Sequence, residues 1–421
     1  MDNQETQPLP WRAEPTADLS EYGKPHVPPT ETPSSLSPLQ RLTMDDLLQA
    51  CVMKMASDIY ITYGCPPSLR IGDQIVPYRD EPLDDETIHH LLQSIINSEQ
   101  LDEFESTMEL NTSIAFSQRA RFRVNIFRQQ QHTAMVIRRI QTVIPTIDEL
   151  GLPNVYKKLS MMKRGLILVV GQTGCGKSTS LAAMIGHRNQ NDSGHIITIE
   201  DPIEYVHEHG RCIVSQRDVG IDTYSFGMAL KNALRQHPDV ILIGEIRDRE
   251  TMEHAINFSE TGHLCVATLH ANNASQAVER VINFFPEEKH NQILLNLALN
   301  LRGILAQRLV PSAKGDRQLA IEILLNEGLI TSLIQEGKIR DIRDVMQRSR
   351  DRGMQTFDQS LIDLYFAKEI TEATALAECD NPATIQLSIK QRETSAMLEN
   401  TDTPMGRTVT RRPIIKSNEN F

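Results

Sequence analysis

Short apolar runs separated by longer amphipathic stretches dominate the middle of the chain. Four of them, LILVV, HIITI, DVILI and LCVATL, occupy residues 166–170, 195–199, 239–243 and 264–269. Apolar runs of this length that alternate with helical segments are typical of a parallel sheet covered on both faces. We therefore predict an α/β domain over residues 146–380, in which a short strand, LAIEILL, and helices follow the last run.

A smaller module with a different pattern precedes this domain. TMDDLLQACVMKM and the segment that begins at Asp84 have the apolar spacing of helices. SDIYITY and RARFRVNIFRQQ alternate apolar and polar residues, and SLRIGDQIVPY indicates two strands about a Gly-Asp turn. These elements predict a small α+β domain over residues 42–145.

The two ends of the chain lack such patterns. Residues 1–41 are rich in Pro, Ser, Thr and Glu, and such a segment cannot bury enough apolar surface to offset its ordering entropy. We predict a disordered extension there, in which Trp11 is either a solvated linker residue or an anchor for a partner. Residues 381–421 are polar and predict a flexible tail.

Composition narrows the class of protein. A net charge of −12 argues against nucleic acid as a partner. The six cysteines form no CxxC pair, which favours reduced thiols over a zinc ribbon or a disulfide scaffold. The N-terminus has neither the basic start nor the apolar core of a signal peptide, and no apolar run approaches the ~18 residues that span a bilayer. We predict a cytoplasmic protein.

The motif GQTGCGKST directly follows the first apolar run and opens into a helical segment. It matches G-x-x-x-x-G-K-[ST], a loop whose backbone amides cradle phosphate oxygens at a helix N-terminus. Lys177 is expected to reach the β- and γ-phosphates and Ser178 to hold Mg²⁺. The motif predicts ATP and Mg²⁺ as cofactors, with binding residues Gly171, Gln172, Thr173, Gly174, Cys175, Gly176, Lys177, Ser178 and Thr179.

Carboxylates follow two of the other predicted strands. Glu245 stands just after DVILI, at the strand end where ligands bind in open α/β sheets, and can orient the metal. Pro202 has no N–H to continue a central ladder, so the strand HIITI must end near it. Glu204, two residues further on, is then predicted to face a water molecule that could attack a bound phosphate. The remaining acids of ITIEDPIEYVHE are predicted to be turn or solvated loop residues: Glu200, Asp201 and Glu208.

Two other groups of polar residues have two interpretations each. His263 and His270 stand at the two ends of the predicted strand LCVATL. Their spacing is equally consistent with two roles: polar capping of the strand ends, or sensing of the γ-phosphate by His270. In RARFRVNIF, period-two alternation sends the apolar side chains to one face and Arg119, Arg121 and Arg123 to the other. This arginine row is either a soluble strand edge or a cationic strip suited to a γ-phosphate, supplied across a subunit boundary.

Taken together, these motifs resemble those of the secretion-type P-loop ATPases, specifically the type IV pilus retraction ATPases of the PilT/PilU family. Five stretches carry the resemblance, GQTGCGKST, ITIEDPIE, LRQHPDVILIGEIRD, GHLCVATLHANNA and RFRVN, with GMQTFDQSL as a C-terminal signature. The resemblance implies a homohexameric ring of subunits with a PAS-like N-terminal domain and a RecA-like ATPase domain. It also implies a cytoplasmic location at an inner-membrane pilus platform protein.

The resemblance further implies a role for individual residues. Lys177 and Ser178 match the Walker A pair and Glu245 matches the Walker B acid, so Ser178 and Glu245 would hold Mg²⁺ directly or through water. Glu204 matches the catalytic glutamate. The remaining matches are His263 and His270 in the His box, the first as a nucleotide-binding residue and the second as a catalytic one, Arg121 and Arg123 as arginine fingers, and Arg138 as a weaker arginine candidate.

One C-terminal element bears on the branch of this family. PilT proteins carry A-I-R-N-L-I-R-E-G-K where this chain has LITSLIQEGK (329–338), which lacks the first arginine and the asparagine. The sequence therefore predicts an ATP-hydrolysing accessory motor of the PilU type, which powers pilus retraction and twitching motility together with a PilT-like motor. The alternatives are a PilT-type principal motor, a related secretion or conjugation ATPase, and a weakly hydrolysing scaffold subunit.

Overall fold

The structure is a computed structural model that describes residues 42–72, 74–117, 120–140 and 143–401. From Met44 onward the described residues belong to one compact unit. The predictions made for residues 1–41, including Trp11, and for residues 402–421 fall outside this description, as does Arg119.

An antiparallel sheet of six strands forms the first part of the described chain. Its strands are β1 (Asp58–Ile61), β2 (Ser68–Ile71), β3 (Gln74–Pro77), β4 (Glu109–Ser117), β5 (Ala120–Gln129) and β6 (His132–Ile140), and its helices are α1 (Met44–Met53), α2 (Asp85–Gln93) and α3 (Ser98–Thr107). The strand order is β3-β2-β1-β6-β5-β4. The predicted alternation in β5 is confirmed, because Phe122, Val124 and Ile126 are fully buried while Arg121 and Arg123 on the other face are half-buried. Elements of both types therefore make this an α+β region.

A seven-stranded sheet forms the second part, in the order β13-β12-β7-β11-β10-β8-β9. Its strands are β7 (Gly165–Gly171), β8 (Gly194–Glu200), β9 (Cys212–Asp218), β10 (Val240–Ile243), β11 (Leu264–Leu269), β12 (Leu301–Pro311) and β13 (Arg317–Leu325). The helices are α4 (Val155–Ser160), α5 (Lys177–Asn191), α6 (Phe226–Ala233), α7 (Arg249–Glu260), α8 (Ala274–Asn283), α9 (His290–Asn300), α10 (Leu329–Gln335), α11 (Ile342–Arg348), α12 (Phe357–Phe366), α13 (Glu372–Glu378) and α14 (Pro382–Thr401).

All strands of this sheet except β13 run parallel. Every residue of β7, β10 and β11 is buried, as expected for strands covered on both faces. The predicted α/β fold with a parallel sheet is therefore confirmed. Because parallel strands all end at one edge, the segments after β7, β8, β10 and β11 meet there.

Two strands of this sheet were not predicted, and each has a physical reason. β9 reads CIVSQRD and pairs only with β8 at the sheet edge, so it carries polar residues that break the apolar pattern. β12 begins at Leu301, directly after α9 ends at Asn300, so no turn residue separates the two apolar segments.

The flexible-tail prediction for residues 381–421 differs from the structure over its first half. α14 spans Pro382–Thr401, and Ile385 and Ile389 are 0% and 3% exposed. These two side chains are four residues apart, so they lie on one helix face and pack into the main hydrophobic core. Tyr365 in α12 also donates a hydrogen bond to Glu393 at 3.0 Å. The segment is polar overall, but two isoleucines at helical spacing suffice to dock it.

None of the helices in the described part of the chain combines the length and the apolar character needed to cross a membrane.

Replacing Ile385 by Ala tests the docking of α14. The substitution removes a fully buried side chain and should lower the free energy of opening this helix by about 2–4 kcal/mol. Leu387→Ala on the same helix is the matched control, because Leu387 is 58% exposed and should change it by about 0.5 kcal/mol or less. Amide hydrogen exchange across residues 382–394 measures both. Unprotected amides there in the wild-type protein would instead support a flexible tail.

Candidate nucleotide site

The loop between β7 and α5, residues 171–179, is called the phosphate loop here. Its backbone needs glycine, since Gly174 and Gly176 have φ of +77° and +89°, in the left-handed region. Gly171 is required for space, because a Cβ there would lie 2.4 Å from the Gln307 carbonyl oxygen and 2.5 Å from the Cys175 Sγ. The loop thus packs tightly around buried Cys175 and presents its backbone at the start of α5.

Lys177 and the two hydroxyl residues after it occupy the first turn of α5. The Lys177 Nζ donates hydrogen bonds of 2.9 Å to the carbonyl oxygens of Gly171 and Gln172, which holds the ammonium over the loop. Thr179 Oγ1 lies 2.9 Å from the Tyr205 hydroxyl, so the helix is tied to the segment after β8. One cation is therefore fixed at the position where phosphates would bind.

A cavity of about 390 Å³ opens at this edge of the sheet. Its lining comes from within residues 173–182, 200–207 and 242–247, and from Thr268 and His270. Lys177, Ser178, Glu204, Glu245 and His270, predicted from four separate motifs, all line it. Gly171 and Gln172 instead line a second cavity of about 770 Å³, beside α8, to which Thr173 and His270 also contribute.

The segment after β8, residues 200–208, is called the acid loop. β8 ends at Glu200, as predicted from Pro202. Glu200 accepts hydrogen bonds from Thr198 Oγ1 at 2.7 Å and Gln216 Nε2 at 3.3 Å. Burial raises the pKa of Glu200 to about 7, against which these two hydrogen bonds act, while the charges of Glu204 and Asp218 raise it further. Glu200 is therefore a hydrogen-bonded cavity residue rather than a simple turn residue.

Gln216 on β9 clamps the acid loop. Its Nε2 donates to the Tyr205 carbonyl oxygen at 2.8 Å, and its Oε1 accepts the His207 backbone N–H at 2.7 Å. Glu204 stands directly before the clamped pair and is exposed toward the cavity. Gln216 was not predicted as a site residue, because its partners are contacts within the fold and no local motif marks them.

Glu245 is the centre of a small ion-pair network. Its Oε1 lies 2.9 Å from His270 Nε2, and its Oε2 lies 2.8 Å from Arg247 Nη2. Arg247 also reaches Asp201 at 3.4 Å, which links this network to the acid loop. Arg247 is a further residue that was not predicted, although it stands two positions after Glu245 in the quoted motif GEIRD.

The two histidines of the predicted His box lie at opposite edges of the sheet. His270 follows the carboxyl end of β11, whereas His263 precedes its amino end, where its carbonyl accepts the Gly165 N–H at 3.0 Å. The His263 Nδ1 lies 3.0 Å from Thr261 Oγ1. These contacts favour the capping interpretation for His263, and the structure does not bring it into the cavity with His270.

Two arginines of the antiparallel sheet interact electrostatically with acids near the cavity. The charge of Glu204 contributes to the raised pKa of Arg138, and the charge of Arg123 acts against the rise that burial causes in the pKa of Asp218. Arg121 donates to Ser113 Oγ at 3.2 Å. None of the three lines the cavity, so the structure places them beside the site in the same chain rather than within it.

The donor set of the cavity suits Mg²⁺. Ser178 and Glu245 supply a hydroxyl and a carboxylate, and Mg²⁺ usually takes one or two such ligands and keeps waters and phosphate oxygens as the others. Across the described ranges, no group of three or more His, Cys, Asp or Glu side chains could hold a metal on protein ligands alone. The residues thus fit a metal that arrives with a nucleotide.

Comparison with known proteins gives a consistent result. A model of the type II/IV secretion system protein family matches residues 33–372. The type IV pilus ATPase PilU of Pseudomonas aeruginosa is 51% identical over 350 residues, which cover 83% of this chain and 92% of PilU. The type IV pilus retraction ATPase PilT of the same organism is 39% identical over 320 residues, 76% of this chain and 93% of PilT. A crystal structure of the pilus retraction motor PilT with bound ADP has a TM-score of 0.76 at 40% identity, and covers 82% of this chain and 98% of that one.

The raised pKa of Glu200 predicts a pH-dependent stability. A carboxyl that titrates near 4.5 when unfolded and about 7 when folded binds more protons in the folded state between those values, so stability falls as pH rises through this window. Glu200→Gln keeps an oxygen for Thr198 and Gln216 but cannot ionise. At pH 8 the variant should be more stable than wild type by up to about 3 kcal/mol, and at pH 4 about equal to it.

Unfolding in urea between pH 4 and pH 8 measures this difference. Glu208→Gln is the matched control, because Glu208 is an exposed acid of the same loop and should give no such pH dependence. A difference between Glu200→Gln and wild type that stays constant over this pH range would contradict the assignment.

Proposed function

The chain belongs to the type II/IV secretion system protein family and, within it, to the type IV pilus ATPases of the PilT/PilU group, and we propose that it is an ATP-hydrolysing motor that powers type IV pilus retraction. One observation carries the proposal. A phosphate loop, a Walker B acid, an exposed loop carboxylate and a histidine line one cavity at the carboxyl edge of a parallel sheet. This is the arrangement that phosphoryl transfer from ATP to water requires.

The nucleotide is held by the phosphate loop. The loop amides and the N-terminal end of α5 receive the phosphate oxygens, and Lys177 exchanges its two carbonyl contacts for the β- and γ-phosphates. Ser178 and Glu245 would hold Mg²⁺, which would supply positive charge to offset that of the phosphates. His270 Nε2 lies 2.9 Å from Glu245 Oε1, and both residues line the cavity, so we assign the imidazole a role in sensing the γ-phosphate.

Glu204 is assigned as the base that orients and activates the attacking water. Both Glu200 and Glu204 line the cavity, but Glu200 already accepts hydrogen bonds from Thr198 and Gln216. Glu204 has no side-chain hydrogen-bond partner among the described residues and is exposed, so its carboxylate is available to a water. The Gln216 clamp fixes the backbone just after it, which positions the base without occupying it.

The arginines of the antiparallel sheet supply positive charge on the Glu204 side of the cavity. Arg123 and Arg138 already interact electrostatically with acids of the same chain, which supports a role for arginines of this subunit. We also propose that Arg121 and Arg123 contribute across a subunit boundary. The family resemblance implies a homohexameric ring with PAS-like and RecA-like domains in each subunit, and such a ring would bring arginines of one subunit to the site of the next.

The cellular role proposed is that of the accessory motor. Identity is higher to PilU than to PilT, and the segment LITSLIQEGK departs from the PilT element. Such a motor would work with a PilT-like partner on an inner-membrane platform protein, at the cytoplasmic base of the pilus. The scaffold alternative is less favoured because Lys177, Glu204 and Glu245 are all present and line one cavity.

Glu204→Gln separates chemistry from binding. The substitution keeps the shape of the side chain but removes its basicity, so ATP affinity should change by less than about threefold. Turnover should fall roughly 10²- to 10⁴-fold, the usual contribution of a general base. Equilibrium binding of ATP and steady-state phosphate release measure the two quantities.

Two further variants serve as controls for this experiment. Lys177→Ala should lose both tight ATP binding and turnover, whereas Glu208→Gln, in the same loop but outside the cavity lining, should keep both. A Glu204→Gln protein that turns ATP over at the wild-type rate would exclude Glu204 as the base. Unchanged turnover in Lys177→Ala would exclude the ATPase itself.

The accessory role predicts a conditional phenotype in cells. Expressed without a PilT-like motor, this protein should not restore pilus retraction, and expressed with that motor it should increase the frequency or force of retraction. The Lys177→Ala variant, matched in expression, is the control for ATP-dependent work. Retraction observed by fluorescence of labelled pili measures the outcome, and full retraction with this protein alone would assign it as a principal motor.

A further inference from the structure

A row of charged side chains crosses the antiparallel sheet. Direct cross-strand pairs join Arg70 on β2 to Asp58 on β1, Asp58 to Arg138 on β6, Arg138 to Arg123 on β5, and Arg123 to Ser113 on β4. Residues directly opposite each other on neighbouring strands project to the same face of a sheet. The row therefore holds three arginines and a single carboxylate, that of Asp58.

Asp58 is buried although it is charged. Its side chain is 5% exposed, and it accepts a hydrogen bond from Arg138 Nε at 2.8 Å through one oxygen. The other oxygen accepts the Ser57 hydroxyl at 2.8 Å and lies 3.8 Å from Arg70 Nε. A buried carboxylate is stable only when its oxygens are matched in this way, so the position of Asp58 is tightly determined.

Arg138 is held by one end of its guanidinium. Only its Nε–H has a hydrogen-bond partner among the described residues, and its side chain is 70% exposed. The hydrogen bond with Asp58 raises the pKa of Arg138, and the charge of Glu204 adds to that rise, so the guanidinium interacts electrostatically with the proposed base. An arginine fixed at Nε presents its two Nη groups in a defined direction.

Arg138 also stands directly opposite Arg123. Two like charges in direct cross-strand register repel each other, and this repulsion would turn the exposed Arg138 side chain away from its neighbour. The negative charge of Asp58 lies on the other side of Arg138, so its attraction acts in the same direction as this repulsion and holds the guanidinium on the Asp58 side.

From this geometry we infer that Asp58 is a positioning residue for ATP hydrolysis, which acts by holding the Arg138 guanidinium toward the Glu204 side of the nucleotide cavity. The inference rests on the ATPase activity proposed above. Asp58 does not touch the reacting atoms, and its effect passes through Arg138. Loss of Asp58 should therefore affect the chemical step more than the binding of ATP.

The experiment is a double-mutant cycle of Asp58→Asn and Arg138→Ala in the full-length chain, read by steady-state ATP turnover. Asp58→Asn should lower kcat roughly ten- to hundredfold, as expected for a misplaced charged group, with KM for ATP within about twofold of wild type. In the Arg138→Ala background the same substitution should have little further effect, because the interaction that it removes is already absent.

Two controls address folding. Asp85→Asn removes another carboxylate of the same region, one that pairs with His132 at 2.9 Å on the surface, and should leave kcat unchanged. Asp58→Glu keeps the charge one methylene further out and should restore part of the lost rate. If Asp58→Asn does not fold, Asp58→Glu replaces it in the cycle, and its smaller loss of kcat should again vanish in the Arg138→Ala background.

The outcomes are distinguishable. Equal losses of kcat in the wild-type and Arg138→Ala backgrounds, or no loss in either, would overturn the inference and leave the ATPase proposal standing. A wild-type chain that hydrolyses no ATP would overturn both.

Discussion

The parallel register of the central strands is the constraint on which the site depends. β7 pairs with β11 from Gly165↔Leu264 to Val170↔Leu269, and β10 and β8 continue the same alignment. Because these strands are buried, a shift in register would move apolar side chains away from the helices that cover them. The alignment brings the phosphate loop, the acid loop, Glu245 and His270 to one edge, although they come from widely separated parts of the sequence.

The charges collected at this edge explain why acids stand beside a phosphate site. Arg247 bridges Glu245 and Asp201, and His270 pairs with the other oxygen of Glu245. Burial brings the pKa of Glu200 to about 7, so near neutral pH that carboxyl carries a proton part of the time. Among the described acids that line the cavity, the others are therefore largely matched by cations or protonated, and Glu204 is open to water. Crowding of negative charge is limited by pairing before any nucleotide binds.

Physical reasons explain which elements and residues could be predicted from the sequence and which could not. β7, β8, β10 and β11 could be found because burial on both faces leaves continuous apolar runs, and the phosphate loop because glycine is required at several positive φ angles. β9 could not, since an edge strand tolerates polar residues such as Gln216. Gln216 and Asp58 contact partners that only the fold brings near, and Asp58 and Arg138 stand 80 positions apart in the chain. Arg247 contacts Asp201, on the acid loop, in the same way. Local motifs mark residues that bind a ligand, but not the residues that position them.

The register of the antiparallel sheet determines which of its charged side chains lie on the same face. β5 and β6 pair with Arg123 and Arg138 on the same face, and a slip of one residue in β6 would send Arg138 to the buried face. Their mutual repulsion is reduced by Asp58 on one side and by the charges of Glu204 and Asp218 on the other. A phosphate anion in the cavity would attract the arginines, as these acids do. The antiparallel sheet therefore places two arginines in electrostatic interaction with acids of the acid loop and of β9, without contributing a residue to the cavity lining.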